Sequence, residues 1–403
     1  MNHNEFVAIL STLFYVSFAL FFYINQRQNV IGNIVTIFYA IISAYSSCLL
    51  LCGKILSVAP LSVLSSFYIF ICYIIIIRPF RGLEPINNDD TDTNILYSSY
   101  KSLFYLCNVY IIVTILYELS YGTKAINNYL LGNWQSVYYQ MRGEDAVYYN
   151  SLYEKLLINF VNYLRVPTLI SAFILYVKKI KYKWVIVALI APFLTALTNA
   201  VYVCARSDLF LVILQYSIVF LSFVKLFDKK QLKKLLYVGF PIVFVAYTIS
   251  SLITGSRFEG DSQGTWIEGY FGEPQMTGNI IVTYTESHYC GGHIAQNLYS
   301  LFGIPRGTCH MPVDVGFAFQ TLIATRFMDF GYIGTLVYFI LLTFIVRKMI
   351  FGGEMNIARL YIVVIYTSSI IIGSFYETNS DLTFVMIVLI YFILKKHFSY
   401  VKL

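Results

Sequence analysis

Residues Phe6–Ile24 read FVAILSTLFYVSFALFFYI, a run without a single charge. A hydrocarbon core is spanned by about 20 apolar residues in a helix. Inside lipid every backbone polar group must also find its partner within the protein, and a lone run can do that only as a helix. Ten further predominantly apolar runs follow, at 30–52, 55–77, 99–118, 157–177, 184–204, 209–226, 235–254, 331–349, 359–376 and 382–394. The sequence therefore predicts an all-α polytopic integral membrane protein with about 11 transmembrane helices. Met1–Glu5 carries no basic residue ahead of the first run, and no small-residue cleavage site follows it. That run is expected to be a retained helix rather than a signal peptide.

Composition agrees. Only 12% of residues are charged, roughly half the share in a soluble globular domain. The net charge of +7 does not point to nucleic acid, because the basic residues sit in short clusters between the runs. Loops after odd-numbered runs, with Lys101, hold 19 of the 28 lysines and arginines. The loops on the other side hold most of the acids, including Glu144, Asp145, Glu259, Glu268, Glu273 and Asp329. By the positive-inside rule the N-terminus is expected outside and the C-terminus inside. Residues 1–403 then form one membrane domain with two large outer segments, 119–155 and 255–329. No nucleotide-binding loop is visible on the inner side.

The segment 255–329 carries the most chemistry. It holds Arg257, Glu259, Trp266, Tyr270, Glu273, His288, Cys290, His293, Cys309, His310, Arg326 and Asp329, with many glycines and aromatics. Disordered segments are aromatic-poor, so this one is expected to fold onto the membrane domain. Cys290 and Cys309 are its only cysteines. In an oxidising compartment a disulfide between them would close a loop of about 20 residues, worth roughly 3 kcal/mol. A metal site from His288, Cys290, His293, Cys309 and His310 is the alternative. The ligand spacing is not a strong zinc pattern, so the disulfide is preferred and no metal or other cofactor is expected.

Arginines in or beside apolar runs are costly and suggest function. Arg165 lies two residues before Pro167, and Arg206 sits in the hairpin Ala205-Arg206-Ser207-Asp208. Each has a plain alternative. The fifth helix can begin after Arg165, and Arg206 can snorkel to the interface while Asp208 caps the seventh helix. Arginines gathered at one end of a bundle suit phosphate oxygens, because the guanidinium fork matches them. Aromatics of the first outer segment, Trp134 among them, can stack on sugar rings or lie in the bilayer interface.

Taken with the hairpin Arg206, the opening Gly255-Ser-Arg257, Tyr270-Phe-Gly-Glu-Pro274 and Asp329-Phe-Gly331-Tyr-Ile-Gly334, this layout resembles the bacterial oligosaccharide repeat-unit polymerases, the Wzy-type family of O-antigen and capsular polysaccharide synthesis. The Asp-Phe-Gly letters also mark kinases, but the soluble lobe that context needs is absent. The resemblance covers most of the chain as architecture and implies a GT-C-like, inner-membrane glycosyltransferase. Its donor and acceptor are glycans on undecaprenyl pyrophosphate, and undecaprenyl pyrophosphate is the leaving group. A chain-length regulator is an implied partner. Arg206, Arg257, Arg165 and Arg326 are the candidate pyrophosphate ligands. His310, Glu273 and Asp329 are the candidate acid–base groups, and Trp266, Tyr270 and Trp134 the candidate sugar platforms. A lipid-linked oligosaccharide flippase and an O-antigen ligase are the rival readings. A flippase would show two-half symmetry and short loops on both faces.

Overall fold

The computed structural model describes residues 2–55, 57–83, 86, 97–131, 137, 152–257, 265–292, 294–305, 307–313, 321–352, 355–375 and 381–398. These form α1 (His3–Asn25), α2 (Val30–Leu51), α3 (Val63–Ile77), α4 (Tyr97–Leu131), α5 (Leu152–Val177), α6 (Val185–Val203), α7 (Ser207–Phe223) and α8 (Lys229–Arg257). There follow α9 (Thr265–Tyr284), α10 (Gln296–Leu301), α11 (Leu322–Phe351), α12 (Ile357–Ile372) and α13 (Asp381–Phe398). No β-strand occurs among the described residues. Nine helices among them, α1 to α8 and α11, are long and apolar enough to cross a membrane. The described residues are thus all-helical, with the layout of a polytopic membrane protein.

Local chemistry sets the ends. A reciprocal capping box starts α1, Asn2 Oδ1 accepting from Glu5 N and Asn2 N donating to Glu5 Oε2, each at 2.8 Å. Helix α2 stops at Gly53, which has φ +66°. The third run was expected to be helical from residue 55. It becomes so only at Val63, where the Ser62 hydroxyl caps Ser65 N. Pro60 disfavours helix in the residue before it.

Two expected boundaries move further. Helix α4 does not stop near 118 but continues to Leu131, 35 residues in all. At 1.5 Å per residue that is about 52 Å, well beyond a hydrocarbon core of about 30 Å. Residues 265–284, expected to belong to a loop, form α9. Their glycines and Pro274 argue against a helix in isolation, and packing overrides that preference. A Cβ at Gly272 would lie 2.6 Å from Leu49 Cδ1, so the missing side chain is what lets α9 close on α2. The Gly272 carbonyl accepts from Ser46 Oγ at 2.5 Å.

Contacts divide the chain into two compact units, residues 1–84, 264–353 and 366–389, and residues 85–263, 354–365 and 390–403. The first unit packs α1, α2, α3, α9 and α11. Polar side chains join its helices. Asn279 donates to Ser62 O at 2.7 Å and Ser66 Oγ at 2.8 Å, and the Thr12 and Ser47 hydroxyls lie 2.8 Å apart. Small and hydroxylated residues let helices approach closely in lipid, where such bonds contribute about 0.6 kcal/mol each. The second unit packs α4 to α8, around Ala196, Ala200, Val212 and Ile253.

Candidate functional site

In the second unit a polar network crosses the apolar packing. Arg165 lies well inside α5, is 3% exposed, and is held at both ends by Asp208 of α7. Its Nη1 donates to Asp208 Oδ1 at 2.6 Å and its Nη2 to Oδ2 at 3.0 Å. Nη2 also donates to Asn162 Oδ1 at 3.1 Å. Asn199 Nδ2 donates to Asp208 Oδ2 at 3.3 Å, and the Tyr117 hydroxyl donates to Asn199 Oδ1 at 3.4 Å. Nearby on α6, Thr198 donates to Glu118 Oε2 at 2.7 Å. Among the described residues, Arg165 Nε, Tyr216 OH and Glu118 Oε1 are buried with no hydrogen-bond partner.

The hairpin between α6 and α7 explains the geometry. Cys204 adopts φ +53° and is fully buried, and Ala205 N bonds back to Ala200 O at 3.0 Å. This left-handed cap reverses the chain within a few residues. It leaves Arg206 as the N-cap residue of α7 and Asp208 in its first turn. Asp208 does not cap the helix with its side chain, as the plainer sequence reading had it; the carboxylate is committed to Arg165. Arg165 is likewise neither outside its helix nor a cation with an open fork. Removing one partner of such a buried pair costs about 3–5 kcal/mol, because the other charge is stranded.

Arg206 itself is half-buried at the start of α7. Arg257 is the last residue of α8; its side chain, like those of Trp266 and Tyr270 in α9, lies outside the described residues, as does all of Trp134.

In the first unit a second buried ion pair sits at a break in α11. Arg326 Nη1 lies 3.3 Å from Asp329 Oδ2, and the two side chains are 1% and 0% exposed. The guanidinium stands 5.5 Å over the Tyr338 ring. Gly331 has φ +65° and ψ −166°, which interrupts the helix at the place where the sequence predicts a helix to begin. In an unbroken helix Met328 O and Asp329 O would accept from Tyr332 and Ile333. Here Tyr289 N donates to Met328 O at 2.9 Å and Gly291 N to Asp329 O at 3.2 Å. The loop thus satisfies carbonyls that the break releases, as burial requires. His288 fills the notch. Its ring meets Phe327 edge-on at 5.3 Å, and a Cβ at Gly331 would lie 2.8 Å from its Nε2.

The remaining candidates are more dispersed. His310 is exposed and pairs with Glu286, Nε2 to Oε2, at 3.6 Å. Glu273 is half-buried in α9, and burial pushes its carboxyl above the ordinary range. Cys290 and Cys309 both stand as free thiols in this structure. Cys290 donates to His288 O at 3.6 Å. No group of three His, Cys, Asp or Glu side chains among the described residues is placed to hold a metal.

Sequence reasoning missed Asp208 as the partner of Arg165, Glu118 as a half-buried acid, and His288 as the filler of the Gly331 break. The first had a signal, since an acid just past a tight hairpin is well placed to meet a cation in the preceding helix. Glu118 was hidden by the early end expected for α4. No protein-family model matches the chain, and neither a curated protein nor a solved structure matches it.

Proposed function

We propose that the chain is an inner-membrane polymerase that joins undecaprenyl-pyrophosphate-linked oligosaccharide repeat units, as O-antigen or capsular chains, with its N-terminus periplasmic and its C-terminus cytoplasmic. The reading rests on the architecture and motifs of the sequence. The observation that carries it furthest is the two-pronged Arg165–Asp208 pair, which ties α5 to the first turn of α7, two residues from Arg206. In this account Arg165 and Asp208 are positioning residues and Arg206 is the cation offered to the leaving group. The anomeric C–O bond to pyrophosphate breaks and a bond to an acceptor hydroxyl oxygen forms. The hydroxyl proton passes to a base, and undecaprenyl pyrophosphate departs with the negative charge. A preorganised guanidinium stabilises that charge most where water is scarce. One charge-assisted bond is worth about 1.5–3 kcal/mol, or about ten- to hundredfold in rate.

The acceptor's base is left unassigned. Asp329 is spent on Arg326, and we assign it a structural role.

The purified chain, given a lipid-linked repeat unit, should yield longer glycans and release one undecaprenyl pyrophosphate per bond formed. Release without elongation would indicate a hydrolase. Movement of the intact substrate across vesicles, with no release, would indicate the flippase.

A further inference from the structure

Two short stretches of the second unit, 178–183 and 225–234, hold nine lysines and one acidic residue, Asp228, a net of +8. The whole chain carries +7, so everything else together is close to neutral. The fold makes these stretches one surface. Gln231 Nε2 donates to Tyr176 O at 2.7 Å, the Tyr176 hydroxyl donates to Gln231 O at 3.2 Å, and Lys179 Nζ lies 2.7 Å from Asp228 Oδ2.

That one acid is already committed. Asp228 Oδ1 accepts from Gln231 N at 2.7 Å and its own N donates to Gln231 Oε1 at 3.1 Å, a capping box for α8. Lys181, Lys183, Lys229, Lys230, Lys233 and Lys234 are all exposed. Lys229 with Lys233, and Lys230 with Lys234, are like charges one helical turn apart, at the helix end that already carries positive dipole. An external anion relieves such repulsion. Trp184 beside Lys183 is 56% exposed and Tyr237, over which Lys233 stands at 5.7 Å, is 69% exposed. Exposed Trp and Tyr of a membrane protein settle at the level of lipid headgroups.

We propose that this lysine surface binds the phosphate headgroups of anionic phospholipids. The inference rests on the helices lying in a bilayer and is independent of the polymerase reading. Nearby anionic lipid gains about fivefold in local preference for each lysine it meets, and added salt screens the effect.

The chain has three tryptophans, so Trp134→Phe with Trp266→Phe leaves Trp184 as the reporter; no activity is read. The protein is reconstituted in phosphatidylcholine vesicles holding a fixed fraction of bromine-labelled phosphatidylglycerol or, separately, bromine-labelled phosphatidylcholine. Trp184 should be quenched more by the phosphatidylglycerol. The excess should vanish in Lys229→Gln/Lys230→Gln/Lys233→Gln/Lys234→Gln, fall in the loop variant Lys181→Gln/Lys183→Gln, and persist in Lys124→Gln. Equal quenching by both lipids in the unsubstituted lysine background overturns the proposal, and so does an excess that survives both lysine variants. Loss of the excess on adding inorganic phosphate, but not chloride of equal ionic strength, would mark a site for soluble anions and also overturn it.

Discussion

Arg165 in α5 and Asp208 in the first turn of α7 face each other with two bonds, 2.6 and 3.0 Å long, between side chains 3% and 14% exposed. Two charges this deep are stable only together. The pair fixes where α7 starts, and with it the hairpin that bears Arg206.

Arg165→Ala or Asp208→Ala alone should therefore lower stability by about 3–5 kcal/mol, since each strands its partner. The double variant should lose clearly less than the sum of the two. Unfolding of the detergent-solubilised protein, followed by intrinsic fluorescence, measures the cycle. Additive losses would mean the two side chains act independently.

Gly331→Ala should destabilise by about 1–3 kcal/mol, because the backbone conformation at φ +65° and ψ −166° is essentially open to glycine alone. The added methyl also meets His288 Nε2 at 2.8 Å. His288→Ala combined with Gly331→Ala should relieve the contact and leave the backbone cost, so recovery should be partial. Full recovery would show that the steric contact, not the dihedral, sets the requirement.

These two places also show how far the sequence could be read. Uncharged runs such as Phe6–Ile24 announce a helix by length alone, and α1 appears there. Residues 265–284 did not announce α9, because Gly272 and Pro274 read as loop until Leu49 is seen to occupy the space a side chain would take. Asp329-Phe-Gly331 stood out as a motif, but its use as a helix break capped by Tyr289 and Gly291 depends on a loop forty residues earlier in the chain. Arg165 was legible as an expensive residue. Its partner was not, since pairing across 43 residues is a tertiary fact.

The two thiols of the 285–310 segment should differ in reactivity. Burial, and after it the charge of Asp329, raises the Cys309 thiol above its ordinary range, so less thiolate is present near neutral pH. Cys290 is exposed. Maleimide labelling read by peptide mass should modify Cys290 first, with Cys309 catching up as pH rises. A linked peptide pair under non-reducing conditions would instead show that the two are bridged.

Glu273 gives a pH test with a definite sign. Its folded carboxyl is raised by burial from an ordinary value of 4.5. The folded state therefore holds the proton more tightly than the unfolded state, and stability falls as pH rises from about 4.5 through the folded value. Above that value the penalty is constant. Glu273→Gln should raise the melting temperature at neutral pH, with the gain disappearing below about pH 4. A variant less stable than the parent at neutral pH would contradict the burial argument.

The most direct test of the polymerase account is the length of the surface glycan in a strain lacking this chain, and in the same strain carrying Arg206→Ala at normal protein level. The account predicts surface glycan capped at one repeat unit in both, full-length glycan on return of the parent chain, and partial recovery with Arg206→Lys, because a point charge replaces a two-pronged fork. Surface glycan with no repeat unit at all in the deletion strain would contradict the account and point to a flippase or ligase.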